Sequence, residues 1–416
     1  MSLKGLGRGF LCFVSIALIL SLSTVTYANL ASIYGIGNKA IAMGSAFTAH
    51  PDDPSATYYN PAGLALERGN RISLGLSYYY PALWMQGIDG KKQYIDNDKV
   101  VGLTLGIASN LGHLTGYHQL SDFSIGILLY TPPDRAYTVH AIPPDTPSFP
   151  LYKDTASQLM LLLGIGYRIT DYLQIGVSSL LYMPGTMRTD YYVDTSQNPI
   201  QTIGKVDRGL VIMATPEIGI IGKPSRMVDI GLAYRARNAS GLKGVTTFSL
   251  NGKQITSETN DEKVVTTPSQ IVAGVSVKPS ARLRINADLT YSLWSDSDVT
   301  DTEGDPLSAT DTLEPSIGVQ YQLTKDWALR GGYRYAPSPL PAQTGQTNFI
   351  DSDRHIISLG AGYGFGWFSP NIRSVLDLFV QLQQLTGRNN AKQPAYESYS
   401  SGGSVWSMGI ALTFKL

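Results

Sequence analysis

The sequence predicts an all-β protein, a transmembrane antiparallel β-barrel of about 14 strands, and three observations carry that expectation. Segments that alternate apolar and polar residues recur from residue 70 to the C-terminus. The links between them alternate between short and long. No stretch of the same region approaches the roughly 18 uninterrupted apolar residues of a membrane helix. Composition agrees: charged residues make up only 15%, while Gly (42) and Tyr (25) are abundant, which suits neither a disordered chain nor a helical membrane protein. Lys+Arg and Asp+Glu balance at 32 each, so there is no basic field to attract nucleic acid.

The chain opens with Lys4 and Arg8, the apolar run Phe10 to Leu22, and the small-residue stretch "STVTYA" ending at Ala28. Positive, apolar, then small is the order of a secretory signal peptide, expected to span residues 1–28, and the apolar run is too short to cross a bilayer. The single cysteine, Cys12, lies inside it. Cleavage would leave a chain without thiols, hence without disulfides, cysteine-bound zinc or thiol catalysis.

Residues 29–69 are expected to form a separate N-terminal piece. "AIAMGSAFTA" is rich in small residues that allow close packing, Pro51-Asp52-Asp53-Pro54 marks one turn and Asn60-Pro61 another. Such a piece has little core of its own and needs walls to pack against. Gly35, Gly37 and Ala40 fit a loose dinucleotide-binding fingerprint, but no βαβ alternation follows, so no nucleotide cofactor is expected.

The wall begins at "RISLGLSYYY", where Ile72, Leu74, Leu76, Tyr78 and Tyr80 alternate with Ser73, Gly75, Ser77 and Tyr79. A strand set between lipid and lumen requires that pattern. It returns in thirteen further segments up to "VWSMGIALTFKL", giving an even total over residues 70–416. "RITDYLQ", "GKPSRMV", "VKPSARL" and "QLTKDWA" are tight hairpin links. Residues 131–156, 184–206, 238–267, 295–311, 336–352 and 387–402 are long, polar or Pro-rich, and read as loops. Short turns on one side and long loops on the other characterise outer-membrane barrels. The last segment alternates to its final residue, so its edge must pair to close the barrel.

"GNKAIAMGSAFTAHPDDPSATYYNPAGLA", "DWALRGGYRYAPSPLP" and "SDRHIISLGAGY" together resemble the FadL/TodX family of outer-membrane transporters for hydrophobic compounds. The resemblance implies that residues 29–69 fold inside the barrel as a hatch, or plug. Asn60, Pro61, Ala62 and Gly63 would be its gate element, set against an inward kink in the third strand that opens laterally. The kink is expected at Ser124, Ile125 and Gly126, since glycine weakens strand pairing; the alternative is a small lumen residue facing the plug.

Strand parity turns Met160, Leu162, Leu180 and Tyr182 inward, and with Met183 and Met187 they form the candidate apolar ligand path; covering by plug and loop residues is the alternative. Asp52 and Asp53 are expected to hold the plug to inward-facing Arg282, Arg330 and Arg334, because buried charges must pair. Leu83 to Met85, Phe149 with Leu151 and Tyr152, and Met183 to Tyr192 offer apolar clusters for external capture, or interfacial belts. No metal is expected: the acidic loop "SDSDVTDTEGD" lacks EF-hand spacing, and the five histidines are scattered.

These readings converge on passive uptake of a hydrophobic small-molecule ligand through a monomeric barrel in the outer membrane of a Gram-negative bacterium. Its partners would be that ligand and the surrounding lipids, with no cofactor and no catalytic residues. A barrel enzyme acting on lipids or esters, and a structural or adhesive barrel, are the alternatives.

Overall fold

The computed structural model describes residues 30–66, 69–95, 99–131, 147, 149–152, 159–182, 186–193, 202–210, 214–250, 253–296, 308–345, 348–367 and 369–416. Fourteen antiparallel strands form the barrel wall. The first five are β1 (Arg71–Gln86), β2 (Val100–Asn110), β3 (Phe123–Thr131), β4 (Met160–Thr170) and β5 (Leu173–Tyr182). Next come β6 (Ala214–Ser225), β7 (Val228–Arg235), β8 (Ser269–Ser280), β9 (Leu283–Leu293) and β10 (Thr312–Gln322). The wall ends with β11 (Trp327–Ala336), β12 (Arg354–Trp367), β13 (Ser369–Asn390) and β14 (Tyr399–Lys415). Each pairs with its sequence neighbour, and β14 pairs with β1 from Arg71–Lys415 to Gln86–Ser400, closing the cylinder.

Alternation is what builds this wall. Along β10, Leu313, Ile317, Val319 and Tyr321 face outward while Thr312 and Ser316 are buried inside. At the short-turn end, outward aromatics stack in cross-strand pairs, Phe123 on Tyr167 at 4.5 Å and Trp327 on Tyr363 at 4.6 Å between ring centroids. That is the aromatic girdle of a bilayer interface. No helix among the described residues is long and apolar enough to cross a membrane.

Two of the long links are not irregular. Thr186–Val193, Thr202–Leu210, Asn238–Leu250 and Lys253–Thr267 pair into a separate four-stranded antiparallel sheet on the long-loop side. Its segments are rich in Thr and Val, which favour strands, but are interspersed with charged residues. Composition therefore hid it as loop. The strand at 202–210 also takes the start of the sixth alternating segment, so β6 begins only at Ala214.

The N-terminal piece lies inside the barrel. It comprises short helices at Leu30–Tyr34, Asn38–Ala42 and Ala56–Tyr59 and a 3-10 turn at Pro61–Ala65. Its residues are almost all buried, with Ala40, Ala42, Ala46, Ala49, Ala56, Thr57, Asn60 and Ala62 fully so. Wall glycines make this possible. A Cβ on Gly176 would overlap the Pro61–Ala62 peptide, one on Gly231 would overlap Thr48, and one on Gly332 would overlap Gly44. The plug thus lies backbone-on-backbone against a belt of glycines, which accounts for much of the glycine content.

Candidate functional site

The Asn60–Gly63 element starts the 3-10 turn. Asn60 caps it by accepting a hydrogen bond from the Ala62 amide at 3.1 Å, with Pro61 in the first position, where its missing N–H costs nothing. The same Asn60 side chain donates to the carbonyls of Thr48 (3.0 Å), Ile220 (3.2 Å) and Leu232 (3.4 Å). It therefore ties the plug to itself and to paired residues of β6 and β7. Ala62 packs with Leu66 and Ile221, and Gly63 lies where a side chain would collide with Pro51.

This element does not face the third strand. It lies over Gly166, Gly176 and Gly219, which are in register across β4, β5 and β6. The plug residues that meet β3 are Thr57 and Leu64, seated on Gly126. Ser124, Ile125 and Gly126 are paired to β2 and to β4 without a register shift. The expected kink leaves no register shift in these ladders, and Gly126 gives the room that Thr57 and Leu64 occupy.

Arginines of the wall hold the plug, mostly through its backbone. Arg334 was expected, but it donates to the carbonyls of Ser32 and Ile33 at 3.1 and 3.2 Å rather than to a carboxylate. Arg168 donates to Ala65 O at 2.6 Å, Arg235 to Tyr58 O and Tyr59 O at 3.1 and 3.2 Å, and Arg71 to Asp52 O. Asp288 of β9 accepts from the amides of Phe47 and Thr48, both at 2.8 Å. Asp52 instead pairs with Lys39 inside the plug at 2.6 Å, and Asp53 accepts from the Ser55 amide at 2.8 Å. Arg330 pairs across the wall with Asp377, and Arg282 is exposed at a hairpin turn. Parity could have found Arg235, which shares its inward row with Gly231 and Ala233.

Burial raises the Asp53 carboxyl, and neighbouring Asp52 adds to the rise. Burial alone would raise Asp52 too, but Lys39, His50 and Arg71 hold it well below the usual carboxylate range.

Met160, Leu162 and Leu180 line one apolar sector of the lumen, where Met160 and Leu162 are in register with Tyr182 and Leu180. All three are buried against Leu128, Tyr130, Phe149, Leu151 and Tyr152. Phe149, Leu151 and Tyr152 thus cover the path instead of forming an external cluster, and Tyr34 of the plug packs edge-on to Tyr152. Leu83 is buried in the same cluster. The side chains of Tyr182 and Met187, and Met183 altogether, lie outside the described residues.

Polar groups face inward on the adjoining strands β6 to β9, among them Glu217, Asn286, Asp288 and Ser292. A cavity of about 50 Å³ above the plug is bordered by Glu217, Arg235, Gln270 and Arg354 as well as Ile33, Leu151 and Leu180. At the short-turn end, a chamber of about 380 Å³ separates Lys39, Asp52 and Asp53 from Arg330, Arg373 and Lys415 of the wall.

A sequence profile of the family described as "Outer membrane protein transport protein (OMPP1/FadL/TodX)" matches residues 19–378. Alkane uptake protein A of Marinobacter nauticus is 23% identical over 417 residues, covering 91% of this chain and 89% of that protein. The long-chain fatty acid transport protein of Escherichia coli is 27% identical over 138 residues, 31% of this chain and 29% of that one. Among solved structures, the Pseudomonas putida toluene transporter TodX superposes with a TM-score of 0.62 at 17% identity, covering 92% of this chain and 99% of TodX. A Pseudomonas aeruginosa FadL homologue gives 0.57 at 17% identity, covering 95% and 98%. At that identity, the likeness to the solved structures is one of fold.

Proposed function

Since the chain belongs to the OMPP1/FadL/TodX family of outer membrane transport proteins, we propose that it is a passive outer-membrane channel for small hydrophobic molecules, with residues 29–69 as its hatch and residues 1–28 as its export signal. It is a transporter, not an enzyme. The observation that carries this reading is the apolar cluster inside the lumen, in which Leu128, Met160, Leu162 and Leu180 join Tyr79, Leu83, Val100, Leu385 and Val405. Removing hydrocarbon from water contributes about 25 cal/mol per Å² buried, so no energy source is needed to load such a site.

The ligand is captured among the outer loops, displaces Phe149, Leu151 and Tyr152 from the apolar sector, and passes as the plug rearranges around Asn60 to Gly63. Release is lateral, into the membrane. Beside β3 it requires the Ser124–Gly126 pairing to part. The ligand class includes alkanes and long-chain fatty acids, the cargo of the two relatives named above.

Vesicles carrying the intact protein should take up a radiolabelled alkane or fatty acid faster than empty vesicles, and the N60A/P61A variant should lose that gain. Equal uptake by both proteins would overturn the hatch mechanism.

A further inference from the structure

From a row of opposed cations beneath the plug, we infer that the chamber at the short-turn end is a binding site for a phosphate group, held between the plug and three strands of the wall. The chamber holds about 380 Å³, room for such a group together with several waters at roughly 10–15 Å³ each. It is bordered by six cations, Lys39, Arg71, Lys325, Arg330, Arg373 and Lys415, and by four carboxylates, Asp52, Asp53, Asp326 and Asp377. Short turns face the periplasm in an outer-membrane barrel, so the chamber belongs to that side.

Register places three of those cations side by side. Arg71 of β1 is directly opposite Lys415 of β14, and Lys415 is directly opposite Arg373 of β13. Opposed residues share a face of the sheet, here the one that borders the chamber. Like charges directly opposite one another destabilise a ladder, and two such pairs adjoin at the seam that closes the cylinder. The carboxylates of the chamber are committed elsewhere. Asp377 pairs with Arg330 at 2.5 Å and Asp52 with Lys39 at 2.6 Å. Asp326 reaches Arg373 only at 3.8 Å on the exposed rim, and Asp53, raised by burial, turns to Ser55. Among the described residues, Lys325 and Lys415 have no carboxylate within 4.0 Å.

The wall is cut back to make this space. Arg373 lays its guanidinium over Gly364, where a Cβ would stand 3.0 Å from Nη2, and the Arg330–Asp377 pair lies over Gly362 in the same way. A phosphate dianion offers several acceptor oxygens at once to guanidinium forks and ammonium groups. Its double charge matches the excess of six cations over four carboxylates, which a single carboxylate would only half meet. On the plug side the chamber is closed by Lys39 and by Asp52, whose backbone carbonyl accepts from Arg71. A bound phosphate thus ties the seam strands to the underside of the plug and favours the seated hatch.

The experiment measures binding of radiolabelled inorganic phosphate to the full-length protein in detergent micelles at neutral pH, with chloride holding the ionic strength constant. A second arm uses radiolabelled dihexanoylphosphatidic acid, a soluble lipid phosphate. Saturable binding of inorganic phosphate, one per barrel, assigns a soluble ligand; saturation by the lipid alone assigns a head group to the same site. Lys415→Gln and Arg373→Gln should each weaken binding about tenfold, the loss of one charged hydrogen bond. Each variant relieves the opposed cations, so its heat-modifiable gel band should melt no lower than that of the unaltered protein in chloride, yet lower than it in phosphate. No saturable binding in either arm, affinity unchanged in both variants, or the same melting order in both salts would overturn the site and leave the channel reading standing.

Discussion

Asn60 reaches three backbone carbonyls only because Gly219 has no side chain; a Cβ there would occupy the place of the Asn60 Oδ1 atom. Gly219→Ala should therefore lower the stability of the folded barrel by about 1–3 kcal/mol, the usual cost of overpacking. Gly222→Ala on the same strand, whose Cβ would meet nothing within 4 Å, should be neutral. The temperature at which each protein loses its heat-modifiable gel band separates the two. Asp52 gives a test in pH. Its folded value lies below the unfolded one, so its stabilisation is complete above about pH 4 and is lost as pH falls through the folded value. Asp52→Asn should lower hydrogen-exchange protection of the plug by a constant margin from neutral pH down to roughly pH 4, and the margin should shrink only below that.

All fourteen wall strands were legible because each lies between lipid and lumen, and that position imposes period two on the residues. The four-stranded outer sheet was not, since its segments mix charged residues among Thr and Val and show no sustained hydrophobic alternation. The plug's attachments were half legible. Inward parity pointed to Arg334, but its partners, like those of Arg168 and Asp288, are backbone groups, which no side-chain pattern encodes. Asp52 and Asp53 invited pairing with the wall and found Lys39 and Ser55 within the plug, because a short helix and a turn bring those residues closer. The unbroken β3 ladders lead to an element-scale prediction. Ile127 and Leu163 are in register, so a disulfide in Ile127→Cys/Leu163→Cys would lock β3 to β4. Uptake should fall when it is oxidised and return on reduction; uptake indifferent to oxidation places the exit elsewhere.

Viewed whole, the barrel is lopsided. β13, β14 and β1 have 22, 17 and 16 residues, whereas β3 and β7 have 9 and 8. With 22 residues, β13 has about twice the 9–11 that a tilted strand needs to cross the hydrocarbon core. The wall therefore stands high on the side that closes the cylinder. With the plug inside, the glycine belt is filled and ion flow is obstructed; a protein lacking residues 30–66 should show a steady conductance in planar bilayers that the intact protein lacks. A deletion variant that folds but stays silent would mean that the inward loop residues alone seal the lumen.

Where the plug ends, Asn70 exchanges backbone hydrogen bonds with Leu416, at 2.9 and 3.4 Å, directly beyond the β1–β14 seam. The residue that leaves the interior and the last residue of the chain thus meet at one point. The consequence concerns the order of assembly. A plug anchored to the glycines of many strands, and tethered to the strand that makes the final closure, has to be seated as the wall curls around it, and cannot be threaded in afterwards. Sealing the cylinder and fixing its contents are then a single late event in the life of the molecule.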